Sequence, residues 1–139
     1  MTSPELRIRT TFLPHDDAEA ALGFYRDLLG WELRLDVGWE QMRWLTVGPV
    51  GQPDVSVVLH PPGADPSTTE EERRVITEMM AKGTFASLML STPDLDATFE
   101  ALRVGGADVV QEPMQQDWGA RDCAVRDPAG NMIRVQEVA

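Results

Sequence analysis

The sequence predicts an α+β fold built from two β-α-β-β-β modules, and three observations carry that prediction. Landmarks recur: Trp39 returns as Trp118, and the stretch Gly48-Pro49-Val50-Gly51 lines up with Asp127-Pro128-Ala129-Gly130, both at an interval of 79 residues. An acidic residue opens a helix-like segment in each half, Asp17 before Ala18-Glu19-Ala20-Ala21-Leu22 and Asp94 before Leu95-Asp96-Ala97-Thr98-Phe99, 77 residues later. Strand-like and helix-like apolar patterns then follow one another in the same order in both halves. Paired modules of this kind enclose a cleft, and clefts are where ligands bind.

Module one is expected over residues 6–60. Residues 8–13 read as a strand ended by Pro14. Asp16 is the expected N-cap of the first helix, with Glu19 completing a capping box. Ala18, Ala21, Leu22, Tyr25, Leu28 and Leu29 recur at helical spacing, and Gly30 is placed to end the helix. Residues 31–37, 41–47 and 55–59 read as three strands, the last bounded by Pro53 and Pro61.

Residues 61–83 form a linker with its own helix, in which Glu70-Glu71-Glu72 suit a helix N-terminus and Gly83 ends the segment. Its apolar stripe of Val75, Ile76, Met79 and Met80 is a packing face or a cover over a ligand. Module two is expected over residues 84–138. Residues 84–91 are a strand, Thr92 caps a helix with Pro93 at its first position, and Gly105-Gly106 closes it. Residues 107–112, 120–126 and 132–138 supply three more strands.

Bulk properties set bounds. A chain of 139 residues with 42% hydrophobic content reads as one domain, 1–139, able to bury a core without crosslinks. No apolar run reaches the roughly 18–20 residues a membrane span requires. Residues 1–10 lack the apolar core of a signal peptide, so a cytoplasmic location is expected. The single cysteine, Cys123, excludes an internal disulfide and a multi-cysteine metal site. A net charge of −11 argues against a nucleic-acid partner, and suits attraction of cationic ligands.

Two segments resemble a known family. Phe24-Tyr25-Arg26-Asp27-Leu28-Leu29-Gly30-Trp31 resembles a helix end of the vicinal oxygen chelate superfamily. Asp127-Pro128-Ala129-Gly130-Asn131-Met132-Ile133 resembles the turn before that family's last strand. The family includes glyoxalases, extradiol dioxygenases and metal-free bleomycin-binding resistance proteins. The resemblance implies two βαβββ modules whose curved mixed sheets surround a cavity, with helices on the outer face. It also implies a homodimer, some relatives exchanging modules. Asp127 and Asn131 are read as turn formers.

The resemblance also implies where a divalent metal would be held. Carried onto this chain, those positions are Thr10, Ser87 and Arg134. Arginine has no lone pair to offer and its charge repels a cation. Ser56 adds only a weak oxygen. Of the two histidines, His15 reads as an exposed loop residue, and His60 ends a strand where it meets either pocket or solvent. No metal and no cofactor are expected, which selects the metal-free, bleomycin-resistance-like branch.

The cavity lining then carries the functional reading. Strand parity places Phe12, Met89, Met132 and Gln136 on the inner face with Thr10, Ser87 and Arg134. Met42 and Trp44 are assigned inward, and the repeat matches them to Arg121 and Cys123. Trp39 and Trp118 are expected at the cleft mouths. Arg134 either binds a carboxylate or phenolate or pairs with an acid such as Glu112. Cys123 lacks a base partner and reads as inert. The candidate binding residues are Trp39, Met42, Trp44, His60, Met89, Trp118, Arg121, Cys123 and Arg134. Indole faces and adaptable methionines suit an aromatic or polycyclic ligand. The expected function is binding of a small molecule such as an antibiotic, sequestered with no bond broken. The alternatives are an enzyme of the same family, a lyase, isomerase or dioxygenase with a displaced or absent metal site, and a ligand-free structural dimer.

Overall fold

The computed structural model describes residues 3–139. Its first half contains β1 (Thr10–Pro14), α1 (Ala18–Leu22), β2 (Glu32–Val37), β3 (Trp44–Gly48) and β4 (Ser56–His60). Helix α2 (Glu70–Lys82) links it to β5 (Ser87–Thr92), α3 (Leu95–Val104), β6 (Asp108–Gln115), β7 (Arg121–Arg126) and β8 (Met132–Glu137). The strands form two four-stranded sheets of the same order, β1-β4-β3-β2 and β5-β8-β7-β6. In each, the first and last strands of the module pair in parallel and the other pairs are antiparallel. The predicted α+β architecture of two β-α-β-β-β units is the one observed.

Local chemistry explains the helix boundaries and corrects two caps. The N-cap of α1 is Asp17, not Asp16: its Oδ1 accepts from the Ala20 amide at 3.1 Å. With the cap at Asp17 the third helical position is Ala20, so Glu19 completes no capping box and pairs instead with Arg43 at 2.8 Å. Beyond Leu22 the helix widens over Gly23–Leu28 into a π turn, with the Leu29 amide reaching back to the Phe24 carbonyl. Gly30, at φ +75°, then reverses the chain into β2. Helix α3 is capped by Asp94 rather than Thr92. Thr92 buttresses that cap, accepting from the Asp94 amide at 3.2 Å and meeting the Thr98 hydroxyl at 2.9 Å. Helix α2 carries a capping box of Thr69 and Glu72.

Two strands also differ from expectation. β3 begins at Trp44 instead of residue 41, because Glu40–Met42 form a 3-10 turn entered through Gly38 and Glu40, both at positive φ. β6 runs on to Gln115 past Pro113, which an edge strand with register irregularities tolerates.

Each sheet buries one face and leaves the other open. Leu45, Val47, Val57 and Leu59 of the first sheet and Cys123, Val125, Ile133 and Val135 of the second are buried, in one cluster with Leu22, Tyr25, Leu95 and Phe99 from the helical segments. That cluster draws on both modules. A polar clasp completes the seam: the Tyr25 hydroxyl donates to Asp127 Oδ2 at 2.6 Å, and Asn131 Nδ2 donates to the Pro14 carbonyl at 2.9 Å. Asp127 Oδ1 accepts from the Ala129 and Asn131 amides, as the turn reading of both residues anticipates. Burial raises the pKa of Asp127 above the usual aspartate value despite these bonds. His15 is buried, correcting its reading as an exposed loop residue; its Nε2 donates to the Arg43 carbonyl at 2.7 Å.

Candidate functional site

A cavity of about 710 Å³ lies over the open face of the first sheet. Drug-sized ligands occupy cavities of roughly 300–1,000 Å³. Phe12 from β1, Trp44 from β3 and His60 from β4 form its floor, and the linker residues Gly63, Asp65 and Thr68, with Ile76 of α2 and Phe85, form its wall. The floor follows from strand alternation. Leu45, Leu59 and Leu13 point to the core, so their neighbours Trp44, His60 and Phe12 point the other way. The His60 ring lies 5.5 Å from Trp44, inclined by 35°, and 6.3 Å from Phe12. His60 Nδ1 lies 2.9 Å from the Pro61 carbonyl oxygen. Helix α2 both packs and covers: Met80 is buried against the seam while Ile76 faces the cavity. A second hollow of about 350 Å³, between Phe24, Gly106, Arg126 and Asp127, has no comparable aromatic floor.

The open face of the second sheet carries a polar cluster that is closed on itself. Arg134 Nη1 donates to Gln111 Oε1 at 3.1 Å and lies 3.4 Å from Asp122 Oδ2. Gln116 and Gln111 each donate to Asp122 Oδ1, at 2.8 and 3.0 Å. Burial pushes the Asp122 pKa up, but these amides and the Arg134 charge together outweigh it and hold the carboxyl below the usual range. The acid that pairs with Arg134 is therefore Asp122, not Glu112. Asp122, Gln111 and Gln116 escaped sequence reasoning. The available signal was the register: β7 pairs Asp122 with Gln136, on the same face as Arg134.

The same register corrects two candidates. Leu45 faces Leu59, and its counterpart Cys123 faces Val135, so these strands repeat at 78 residues (123 − 45), not at the 79 of the flanking turns. A one-residue slip reverses the face. Arg121 and Cys123 thus lie on the helix side of the second sheet. Arg121 pairs with Asp96 of α3 at 2.6 Å and Glu137 at 3.5 Å. Cys123 is 0% exposed, and burial with the neighbouring Asp122 charge pushes its thiol pKa up, against nucleophilic use.

Of the nine candidate residues, the cavity brings together Trp44 and His60. Met89 and Arg134 stand side by side on the second open face. Met42 lies in the 3-10 turn before β3 rather than on the strand, and is exposed. Trp39 and Trp118 are 72% and 64% exposed and lie outside the lining of this cavity. Asp65, Pro66 and Phe85 line it without a sequence pattern that announces them.

A family model described as Glyoxalase/Bleomycin resistance protein/Dioxygenase superfamily matches residues 7–135. The chain belongs to this superfamily. Among solved structures it is similar to UcmS2, at TM-score 0.83 and 33% identity, covering 96% of this chain and 98% of that one. It is also similar to TnmS3, an antibiotic binding protein from Streptomyces sp. CB03234, at TM-score 0.71 and 27% identity, with 99% and 100% covered. A lactoylglutathione lyase from Agrobacterium tumefaciens, at TM-score 0.68 and 20% identity with 96% and 95% covered, shares the fold.

The superfamily's metal positions can be tested on this chain. Phe12 pairs with Val58 as Met89 pairs with Arg134, so Val58 stands in the first sheet where Arg134 stands in the second. With Thr10, Ser87, Val58 and Arg134 at those positions, the donor set is two hydroxyls, a hydrocarbon and a cation, which does not fit a divalent ion. Among the described residues no group of three His, Cys, Asp or Glu side chains could hold one. No helix of the described chain is long and apolar enough to cross a membrane.

Proposed function

We propose that this superfamily member is a small-molecule binding protein that sequesters an aromatic or polycyclic ligand, such as an antibiotic, without a metal. The observation that carries the reading is the floor of Phe12, Trp44 and His60 beneath a cavity of drug-ligand size. Three aromatic rings on one sheet face supply flat apolar area for stacking. Similarity to TnmS3, an antibiotic binding protein, supports the ligand class. The poor donor set at the metal positions supports binding without a metal-assisted step.

The binding unit in this reading is a cytoplasmic homodimer. Leu35, Val37, Met89 and Met114 are exposed on the open sheet faces, apolar area that a second copy would cover. Light scattering of the purified protein tests this, and a monomer across the micromolar range overturns it.

The function itself is tested by titrating polycyclic and glycopeptide antibiotics while following tryptophan fluorescence. Saturable quenching that is lost in Trp44→Ala, with the ligand recovered unchanged, is the expected result. Recovery of a chemically altered ligand replaces sequestration with catalysis. The absence of any response removes the proposal.

A further inference from the structure

We infer that His60 makes the cavity selective for aromatic ligands that donate a hydrogen bond, such as phenols, and that Asp65 excludes aromatic carboxylates. The inference rests on the reading of this cavity as the ligand site.

The His60 tautomer follows from its neighbour. Nδ1 lies 2.9 Å from the Pro61 carbonyl oxygen, and a carbonyl only accepts, so Nδ1 carries the proton. In the neutral ring Nε2 then holds the lone pair. Among the described residues Nε2 has no hydrogen-bond partner. It is also not sealed in the protein, since the buried unpartnered side-chain atoms are His15 Nδ1 and Asn131 Oδ1. His60 lines the cavity, so Nε2 is an acceptor open to a ligand. Trp44 and Phe12 flank the ring.

The second polar group also accepts. Asp65 Oδ1 takes the Ser67 amide at 2.8 Å and the Ser67 hydroxyl at 2.7 Å. These bonds keep the carboxyl below the usual aspartate range, the hydroxyl contributing most, so Asp65 is a carboxylate at neutral pH. No lysine or arginine lines the cavity. The lining therefore offers a lone pair and a negative charge and no cation of its own; Arg73, behind Gly63, is paired with Glu70. A phenol supplies the proton that Nε2 lacks. Its methyl ether does not, and an aryl carboxylate meets Asp65 with like charge.

Isothermal titration with 2-naphthol, 2-methoxynaphthalene and 2-naphthoate separates these cases. In the wild type, 2-naphthol is expected to bind about 3- to 10-fold tighter than the ether, the range of one net hydrogen bond, and 2-naphthoate weakest of the three. His60→Phe, which keeps a ring, brings the ratio of naphthol to ether to near one. His60→Gln, whose side-chain oxygen reaches the Nε2 position, retains it. Asp65→Asn strengthens 2-naphthoate selectively. Circular dichroism of each variant checks that the fold is kept. A wild-type ratio near one, or a ratio that survives His60→Phe, overturns the role of His60 while leaving the cavity a binding site. Equal binding of 2-naphthoate and 2-naphthol overturns the role of Asp65. Failure of both neutral probes to bind overturns the cavity reading and this inference together.

Discussion

The two sheets share strand order and the register of their inner pairs but present different chemistry on their open faces. Trp44 in the first corresponds to Asp122 in the second, Phe12 to Met89, Val58 to Arg134 and His60 to Gln136. The helix-side positions at the centre of each sheet stay apolar in both: Leu45 with Cys123, Val47 with Val125, Val57 with Ile133, Leu59 with Val135. A core face is held to apolar residues because any buried polar group there needs a partner. An open face carries no such constraint, so one copy keeps unpaired aromatic area while the other locks its charge into Arg134–Asp122. Duplication thus conserves the side that packs and frees the side that binds.

The largest expected contrast is between the two repeated turns. Gly130 sits at φ +89°, and a β-carbon there would run into the Met80 carbonyl oxygen, whereas nothing lies within 4 Å of one on Gly51. Gly130→Ala is expected to cost about 3–4 kcal/mol in urea unfolding and Gly51→Ala within about 0.5 kcal/mol. Similar costs for the two would mean that the second turn does not hold the seam. Next comes the polar face. Asp122→Ala leaves two glutamines and Arg134 without their shared acceptor, for an expected loss of about 2–3 kcal/mol, discounted because Arg134 is part-exposed.

Ligand binding sharpens the same comparison. Trp44→Ala is expected to weaken aromatic probes by about 30-fold, near 2 kcal/mol, with stability little changed. Arg134→Ala is expected to leave their affinity within about threefold while lowering stability. If Arg134→Ala instead weakens binding as strongly as Trp44→Ala, the two open faces meet around one ligand, as a second copy of the chain would allow.

The smallest effect is in the pH dependence, where two buried aspartates slope in opposite directions. Asp122 has a depressed folded pKa, so its stabilising contribution is complete above the ordinary aspartate value and is lost as pH falls through the depressed one. Asp127, raised by burial, contributes stability that is present below the ordinary value and is lost as pH rises through the raised one. Urea titrations of Asp122→Asn and Asp127→Asn from about pH 6 to about pH 3 test the signs. The deficit of Asp122→Asn relative to wild type should shrink toward acid, and that of Asp127→Asn should grow.

Much of the scaffold was legible in the chain. Element order, Glu70-Glu71-Glu72 as a helix start, and Gly30 and Gly83 as helix ends are local properties of a few adjacent residues. The adjacent candidates Asp16 and Asp17 show the limit: either can cap, and which one does depends on how β1 delivers the chain. The site was less legible. Alternation places Trp44 inward and leaves His60 between pocket and solvent, while extending the turn interval of 79 to the strands sends Arg121 and Cys123 to the wrong face. Ile76 belongs to a stripe the sequence reads as a packing face or a cover, but Asp65 in the linker and Phe85 beyond it reach the cavity along a path no periodicity encodes.

A duplicated β-α-β-β-β protein of the glyoxalase and bleomycin-resistance superfamily, with poor metal donors at the family positions, can be read from the amino-acid order alone. Repeats, caps and turn motifs are short-range, and their residue types are constrained one position at a time. Tertiary contacts set the rest: Asp122 neutralises Arg134, the Tyr25–Asp127 bond clasps the modules, and the Pro61 carbonyl takes the proton of His60 Nδ1. Those outcomes depend on strand register and on groups from distant segments meeting within hydrogen-bond range, and a one-residue shift in register exchanges the face that packs for the face that binds.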